Sequence, residues 1–292
     1  MSHNLQTAAA QDFDLSDHRV LALQGRDAVA FAQAQFMNDV AQLGDGQWQW
    51  NGWLTPKGRV VALFALLRRD AGTLWLLIPD AEPATLASQL KRYVFRSNVA
   101  FHIRDELNVV GSFATPVHAR GAASAASNAG VELDLSGDGG PRCLRVGEVQ
   151  AGTDESQHSR WRTFDIQHGL PRLTGEHVEQ WTPQQLSLER LKAYSVKKGC
   201  YPGQEIVART HFLGQAKRGL MRLRGDGLGA LDAVMADQVS GEAGVATRAV
   251  GRMICAEDTE GLAVMSLDAG DGSFSTGDQP CVRLPLLEGL AR

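Results

Sequence analysis

The apolar positions change period several times along the chain, and each change marks an element. Residues 19–25 (RVLALQG) alternate apolar and polar side chains, the two-residue period of a strand, and stop at Gly25. In RDAVAFAQAQFMNDV, the residues Ala28, Phe31, Ala32 and Phe36 share one helical face. Strand patterns return at 47–53, 59–68 and 73–79, the last two joined by the turn-forming Asp70-Ala71-Gly72. Pro83 suits a first turn and predicts a helix running to Lys91. Residues 99–104 and 106–111 again read as strands. That order predicts a mixed α+β region with a largely antiparallel sheet.

Residues 112–142 are rich in Ala, Ser and Gly and predict a variable connection with a weak helix. An aromatic and apolar pattern resumes at 160–171 and ends at Gly169-Leu170-Pro171; Pro183 predicts a short helix through Arg190. Beyond Gly219, strand patterns at 219–224, 244–255, 260–267 and 279–284 are separated by turns containing Gly and Asp, which predicts a small barrel or sandwich. Trp48, Trp50 and Trp53 read as core packing on one sheet face, and His168 and His177 as surface histidines. Residues 225–230 (GDGLGA) loosely fit a dinucleotide loop, but no βαβ unit follows, so a hairpin loop is expected.

Composition narrows the class. A chain of 292 residues, 43% hydrophobic and 21% charged, has enough apolar material for two or three domains and is not disordered. The longest apolar run, Val60 to Leu67, falls far short of the roughly 20 residues that span a bilayer. The first eighteen residues lack the features of a signal or transit peptide, so a soluble cytoplasmic protein is expected, with no membrane partner. The net charge of −4 argues against a strongly basic nucleic-acid binder, and no direct nucleic-acid contact is expected. Charge is nevertheless uneven: residues 183–224 hold nine Lys or Arg against Glu189 and Glu205. Such a segment suits an anionic small ligand or a local nucleic-acid contact, unless it is only a solvated basic face. Cys143, Cys200, Cys255 and Cys281 form no CxxC pair, so neither a zinc knuckle nor a self-contained cluster motif is written here, and no metal site is expected.

The densest chemistry lies at 197–209, KKGCYPGQEIVAR. Gly199 and Gly203 bracket Cys200 on a tight turn, and from Gly203 the sequence turns helical, with Glu205 and Arg209 at i,i+4. Lys197, Lys198 and the helix start favour a thiolate at Cys200, which makes Cys200 the candidate reactive residue and Lys198 its activator. The plainer alternative is a strand-to-helix turn with a small buried residue.

This segment resembles the hallmark of YgfZ-type folate-binding proteins, K-G-C-Y-x-G-Q-E followed by V-A-R. Lys198, Gly199, Cys200, Tyr201, Gly203, Gln204 and Glu205, then Val207, Ala208 and Arg209, occupy its positions. The resemblance extends outward. Gly25-Arg26-Asp27-Ala28 with Gln33, Gln35 and Asp39 is similar to the family's N-terminal motif, with Ala34 and Met37 departing from it; Lys57-Gly58-Arg59 matches its K-G-R/K; and Gly169-Leu170-Pro171 matches its G-x-P. Pro183-Gln184 and Lys217-Arg218 match a P-Q and a K-R that flank the hallmark.

The resemblance implies the α+β fold of the aminomethyltransferases, three domains in a ring around tetrahydrofolate: 1–105 folate-binding, 106–215 carrying the hallmark, and 216–292 a small β-barrel. It implies tetrahydrofolate, or a one-carbon derivative, as cofactor, and iron–sulfur proteins or cluster-assembly factors as partners. The implied role is an accessory factor in iron–sulfur cluster assembly or repair, indirectly supporting tRNA modification. The alternative is a one-carbon transferase or demethylase. Implied folate contacts are Gln167, Tyr201, Gln204, Glu205, Arg209 and Lys57, the basic side chains suiting the glutamyl tail. Two departures matter. Val61 and Ala62 stand where aminomethyltransferases carry an acidic pair, and Gln167 stands where many relatives carry a pterin-binding Glu. Without the acidic pair, proton transfer at the folate nitrogen lacks its usual partner, so aminomethyl transfer is not expected.

Overall fold

The computed structural model describes residues 11–214, 216–239, 245–270 and 272–292. The first ten residues, read above for a leader, and residue 244 of the predicted strand 244–255 lie outside the described residues.

An antiparallel sheet forms first. It comprises β2 (Arg19–Gln24), β3 (Trp48–Leu54), β4 (Val60–Asp70), β5 (Thr73–Ile78) and β6 (Ala100–Ile103), in the order β3-β4-β5-β2-β6. Helices α1 (Ala28–Gln35) and α2 (Pro83–Lys91) cover one face, where Phe31, Leu86 and Leu90 pack on Leu21, Leu23, Phe64 and Leu76. The other face carries Ala22, Trp50, Leu63, Ala65 and Leu77 into a second core. Burial on both faces explains why β4 reads as an unbroken apolar run rather than an alternation.

That second core is shared with another five-stranded sheet, ordered β1-β7-β10-β9-β8. Its strands are β1 (Phe13–Asp14), β7 (Asn108–Ser112), β8 (Ala125–Ser127), β9 (Gly130–Asp134) and β10 (Cys143–Gly147). Helix α3 (Glu155–Gln167), capped by Asp154 accepting from the Gln157 amide, places Trp161 and Phe164 in the same core. After α4 (Gln204–Leu213) the chain enters a closed six-stranded barrel ordered β11-β14-β13-β12-β15-β16. The barrel strands are β11 (Arg218–Gly225), β12 (Ala233–Val239), β13 (Val245–Glu257), β14 (Glu260–Ser266), β15 (Phe274–Thr276) and β16 (Gln279–Leu284). Residues 285–292 then run back over the earlier units. The Leu287 amide donates to the Gln167 carbonyl, Trp50 Nε1 donates to the Leu290 carbonyl at 2.8 Å, and Arg292 donates to the Asp134 and Ser136 carbonyls.

Several local expectations change. The connection 112–142 holds no helix; β8 and β9 form a hairpin, because Val131 and Leu133 alternate inward and pair with Val146 and Leu144 of β10. The stretch from Pro183 is a series of turns with a 3-10 helix at Leu188–Leu191, not an α-helix. Tertiary bonds hold it open: Gln184 Nε2 donates to the Val207 carbonyl, and Ser187 Oγ accepts from the Leu220 amide. Trp53 lies in the α1/α2 core, opposite Trp48 and Trp50, as an odd spacing along a strand requires. Residues 225–230 do not make a hairpin, since β11 and β12 are not neighbours in the barrel. No helix among the described residues is long and apolar enough to cross a membrane.

Candidate functional site

The hallmark segment is a turn that docks on the loop between β3 and β4. Gly203, at the start of α4, has φ of 79°, and Gly58 in the facing loop has φ of 69°. A Cβ on Gly203 would stand 2.6 Å from the Thr55 carbonyl and 2.7 Å from the Gly58 Cα; one on Gly58 would stand 2.8 Å from the Ile206 Cβ. Two backbones meet here with no room for a side chain between them.

Lys198 anchors the other end of the turn. It is 5% exposed, and its ammonium donates to the carbonyls of Gln33 (2.5 Å), Phe36 and Asn38 (3.1 Å), where α1 ends. Burial pulls its pKa down to about 8, opposed by the charge of Asp39. Among the described residues no hydrogen bond joins Lys198 to Cys200. The expected activator is therefore a structural tie, because a buried ammonium takes the acceptors that satisfy all three of its protons. The same α1 exit is braced by Gln33, which donates to Asp39 and accepts from the Val40 and Ala41 amides, and by Asn38, which donates to the carbonyls of Trp50 and Lys192. The Ser195 amide donates to the Met37 carbonyl. Three segments far apart in sequence, 33–39, 57–59 and 195–206, thus assemble around one turn.

Cys200 is exposed at its tip, while Cys143 and Cys281 are buried and Cys255 is half-buried; all four are free thiols. Burial pushes the Cys143 thiol up to about 12 and Cys255 to about 11. Tyr201 is buried, its hydroxyl donating to the Ser195 carbonyl, and Gln204 donates to the Lys198 carbonyl. Both expected folate contacts are therefore engaged in holding the turn. Lys57, Glu205 and Arg209 are exposed around it, and no ion pair joins Glu205 to Arg209 among the described residues.

Gln167 is not part of this cluster; it sits at the end of α3, against the returning segment 285–292. Asp165, two residues earlier on α3, points instead into an enclosed cavity between the two sheets. Trp50, Trp161, Leu63 and Leu77 wall that cavity, His18 lines it, and its volume of about 20 Å³ holds no more than a water molecule. Asp165 accepts from Arg142 at 2.6 Å, both being fully buried. Arg172 bridges Asp17 and Asp80, and Asp17 also accepts from His18 and His158. Although burial would raise it, the hydrogen bond and charge of His18, with Arg172, hold the Asp17 carboxyl well below the carboxylate range. Arg142 Nη2 and Arg172 Nη1 are buried without hydrogen bonds, Arg172 Nη1 lying 3.8 Å from Asp165 Oδ2. Sequence reading missed this network because its members come from five separate segments; an Asp at the inward spacing of α3 was the available clue.

The two histidines are buried rather than on the surface. His168 stacks on Phe164 at 4.1 Å, its Nδ1 donates to the Phe164 carbonyl, and its Nε2 accepts from the Gly139 amide. That pair of bonds fixes a neutral tautomer, and burial lowers its pKa. His177 stacks on Trp181, whose Nε1 donates to it at 3.4 Å. No group of three or more His, Cys, Asp or Glu side chains among the described residues could hold a metal ion.

No family model matches the chain. An uncharacterized protein of Haemophilus influenzae is 30% identical over 216 residues, 72% of each chain. Proteins described as tRNA-modifying protein YgfZ are 30% identical over 232 residues in Klebsiella pneumoniae and 31% over 237 residues in Enterobacter sp., covering 72–73% of this chain and 70–71% of theirs. Among solved structures, the glycine cleavage system aminomethyltransferase T of Bartonella henselae superposes with a TM-score of 0.69 over 97% of this chain and 86% of its own, at 13% identity. The α+β architecture ending in a barrel is thus that of the aminomethyltransferases. By sequence, the chain belongs to the YgfZ family.

Proposed function

We propose that this protein is a cytoplasmic, tetrahydrofolate-binding accessory factor for iron–sulfur cluster assembly or repair, and that it supports tRNA modification through iron–sulfur enzymes. The observation that carries the reading is the convergence of segments 33–39, 57–59 and 195–206 on one braced turn that offers the exposed thiol of Cys200. A scaffold that spends a buried lysine and two facing glycines on presenting one side chain is built for that side chain. One thiol cannot supply four cluster ligands, so contact with a cluster requires a partner. We take 1–105, 106–215 and 216–292 as the three units of the ring, with β1 crossing from the first into the second sheet.

The cavity residues suit a pterin in kind. Two indole walls match a flat bicycle, and the Asp165 carboxylate, held by Arg142 from outside the cavity lining, matches its N–H groups. At about 20 Å³ the cavity must widen to admit a ring, so binding is coupled to movement of its walls. When bound, folate would carry a one-carbon unit; the protein's part is to hold the ring and keep water out. Val61 and Ala62, on β4, offer no carboxylate for aminomethyl transfer.

Calorimetric titration with tetrahydrofolate and its formyl and methylene forms tests the reading. Saturable binding that weakens in Trp161→Ala supports it, and no heat up to millimolar folate overturns it. In cells, Cys200→Ser should bind folate normally yet fail to support iron–sulfur enzymes; full support from that variant would remove Cys200 from function.

A further inference from the structure

Beside the braced turn lies a surface, centred on residues 91–96, that is separate from the Asp165 cavity. The segment 91–96, KRYVFR, closes α2 and leads to β6. Phe95 is 76% exposed and Tyr93 44% exposed, an uncommon position for two aromatic rings. Neither ring is loose. Tyr93 meets the Trp53 ring edge-on at 5.8 Å, and the Arg96 guanidinium lies over Phe95 at 5.1 Å. Trp53 is two residues from Thr55, whose carbonyl abuts Gly203, so the rings and the Cys200 turn flank the same end of β3.

The charges around these rings are unusual for this chain. Many of its other arginines are committed to carboxylates, as Arg172 is to Asp17 and Asp80 and Arg222 to Glu260. Lys91, Arg92 and Arg96, with Lys57, Lys197 and Arg209 around the turn, are exposed and have no acidic partner among the described residues. Six unpaired cations beside two fixed, exposed rings are hard to reconcile with an apolar protein partner, which would bury those charges. An acidic peptide would use the cations but leave the rings in water.

We propose that this face binds single-stranded RNA, with phosphates on the cations and unstacked bases on Phe95 and Tyr93. Looped RNA offers both groups at once, whereas a duplex hides its base faces. The overall charge of −4 conceals such a site because the acidic excess lies elsewhere on the molecule. This goes beyond the accessory role proposed above, which requires no RNA contact, and it stands or falls independently of folate binding.

Fluorescence anisotropy with a labelled, unmodified tRNA transcript tests it, with duplex DNA and polyglutamate as competitors. The full chain should bind the transcript, and an unlabelled single-stranded RNA should compete far better than either alternative. Phe95→Ala should weaken binding by about tenfold at unchanged salt dependence. Arg92→Ala with Arg96→Ala should reduce the salt slope by about 2. Arg160→Ala, which removes a cation from α3, should change neither. All these variants should keep the wild-type melting temperature and folate affinity. Equal competition by polyglutamate would assign the face to an acidic protein, competition by duplex DNA would mark plain charge attraction, and wild-type binding by the Phe95 variant would leave the rings without a role; each overturns the proposal.

Discussion

Gly58 and Gly203 lie close, both with positive φ: the Gly58 backbone occupies the space a Gly203 side chain would need, and Ile206, with the Gly203 carbonyl behind it, occupies the space a Gly58 side chain would need. Gly203→Ala therefore forces a left-handed conformation on a Cβ and drives it into the Thr55 carbonyl. A loss of about 2–4 kcal/mol in urea unfolding is expected. Gly199→Ala, four positions earlier in the same turn, meets nothing within 4 Å and should change stability by less than about 0.5 kcal/mol. Equal effects of the two would show that the close approach does not hold the turn.

Lys198→Met leaves the carbonyls of Gln33, Phe36 and Asn38 buried without their donor. The expected cost is about 3 kcal/mol, read as a lower urea midpoint. Lys197→Met removes the same charge from an exposed side chain and should be near neutral. Were Lys198 acting mainly on the thiol, the variant would instead keep its stability and change only the reactivity of Cys200.

Iodoacetamide should label Cys200 alone in the native protein and all four cysteines after denaturation, as read by mass spectrometry. Burial removes Cys143 and Cys281 from the reagent and disfavours their thiolates. Native labelling of Cys143 ahead of Cys200 would contradict the assignment.

His168 gives the fold a dependence on acid. Its folded-state pKa lies below the unfolded value of 6.5, so the unfolded chain takes up a proton more readily as pH falls. The stability that the neutral ring contributes is present above about 6.5 and is lost below it. His168→Gln does not titrate, so the stability gap between wild type and variant should narrow as pH falls through about 6.5. A gap independent of pH would mean that His168 titrates alike in the folded and unfolded chains.

The legible parts of the fold were those written locally. Pro83 and the apolar spacing after it mark α2 to the residue, and β2, β4 and β5 follow their apolar patterns to within two residues. Other parts are decided by distant partners. Val131 and Leu133 become strand residues through β10, and the turns after Pro183 are held open by Val207 and Leu220. The hallmark was visible as a string, but not the tasks of its letters. Lys198 meets carbonyls more than 150 residues upstream, and the Asp165 network draws on segments that no local window joins. Burial of His168 depends on the close approach of Gly137 and Gly139 to its ring, again a long-range matter.

The bond from Trp50 Nε1 to the Leu290 carbonyl spans 240 residues. During translation, Trp50 leaves the ribosome long before its acceptor has been synthesised, and so do the Asp134 and Ser136 carbonyls that await Arg292. The first two sheets must therefore wait, partly unsatisfied, for residues 285–292 to seal them. Closure of the whole therefore waits on the last residues of the chain, as contacts so distant in sequence demand.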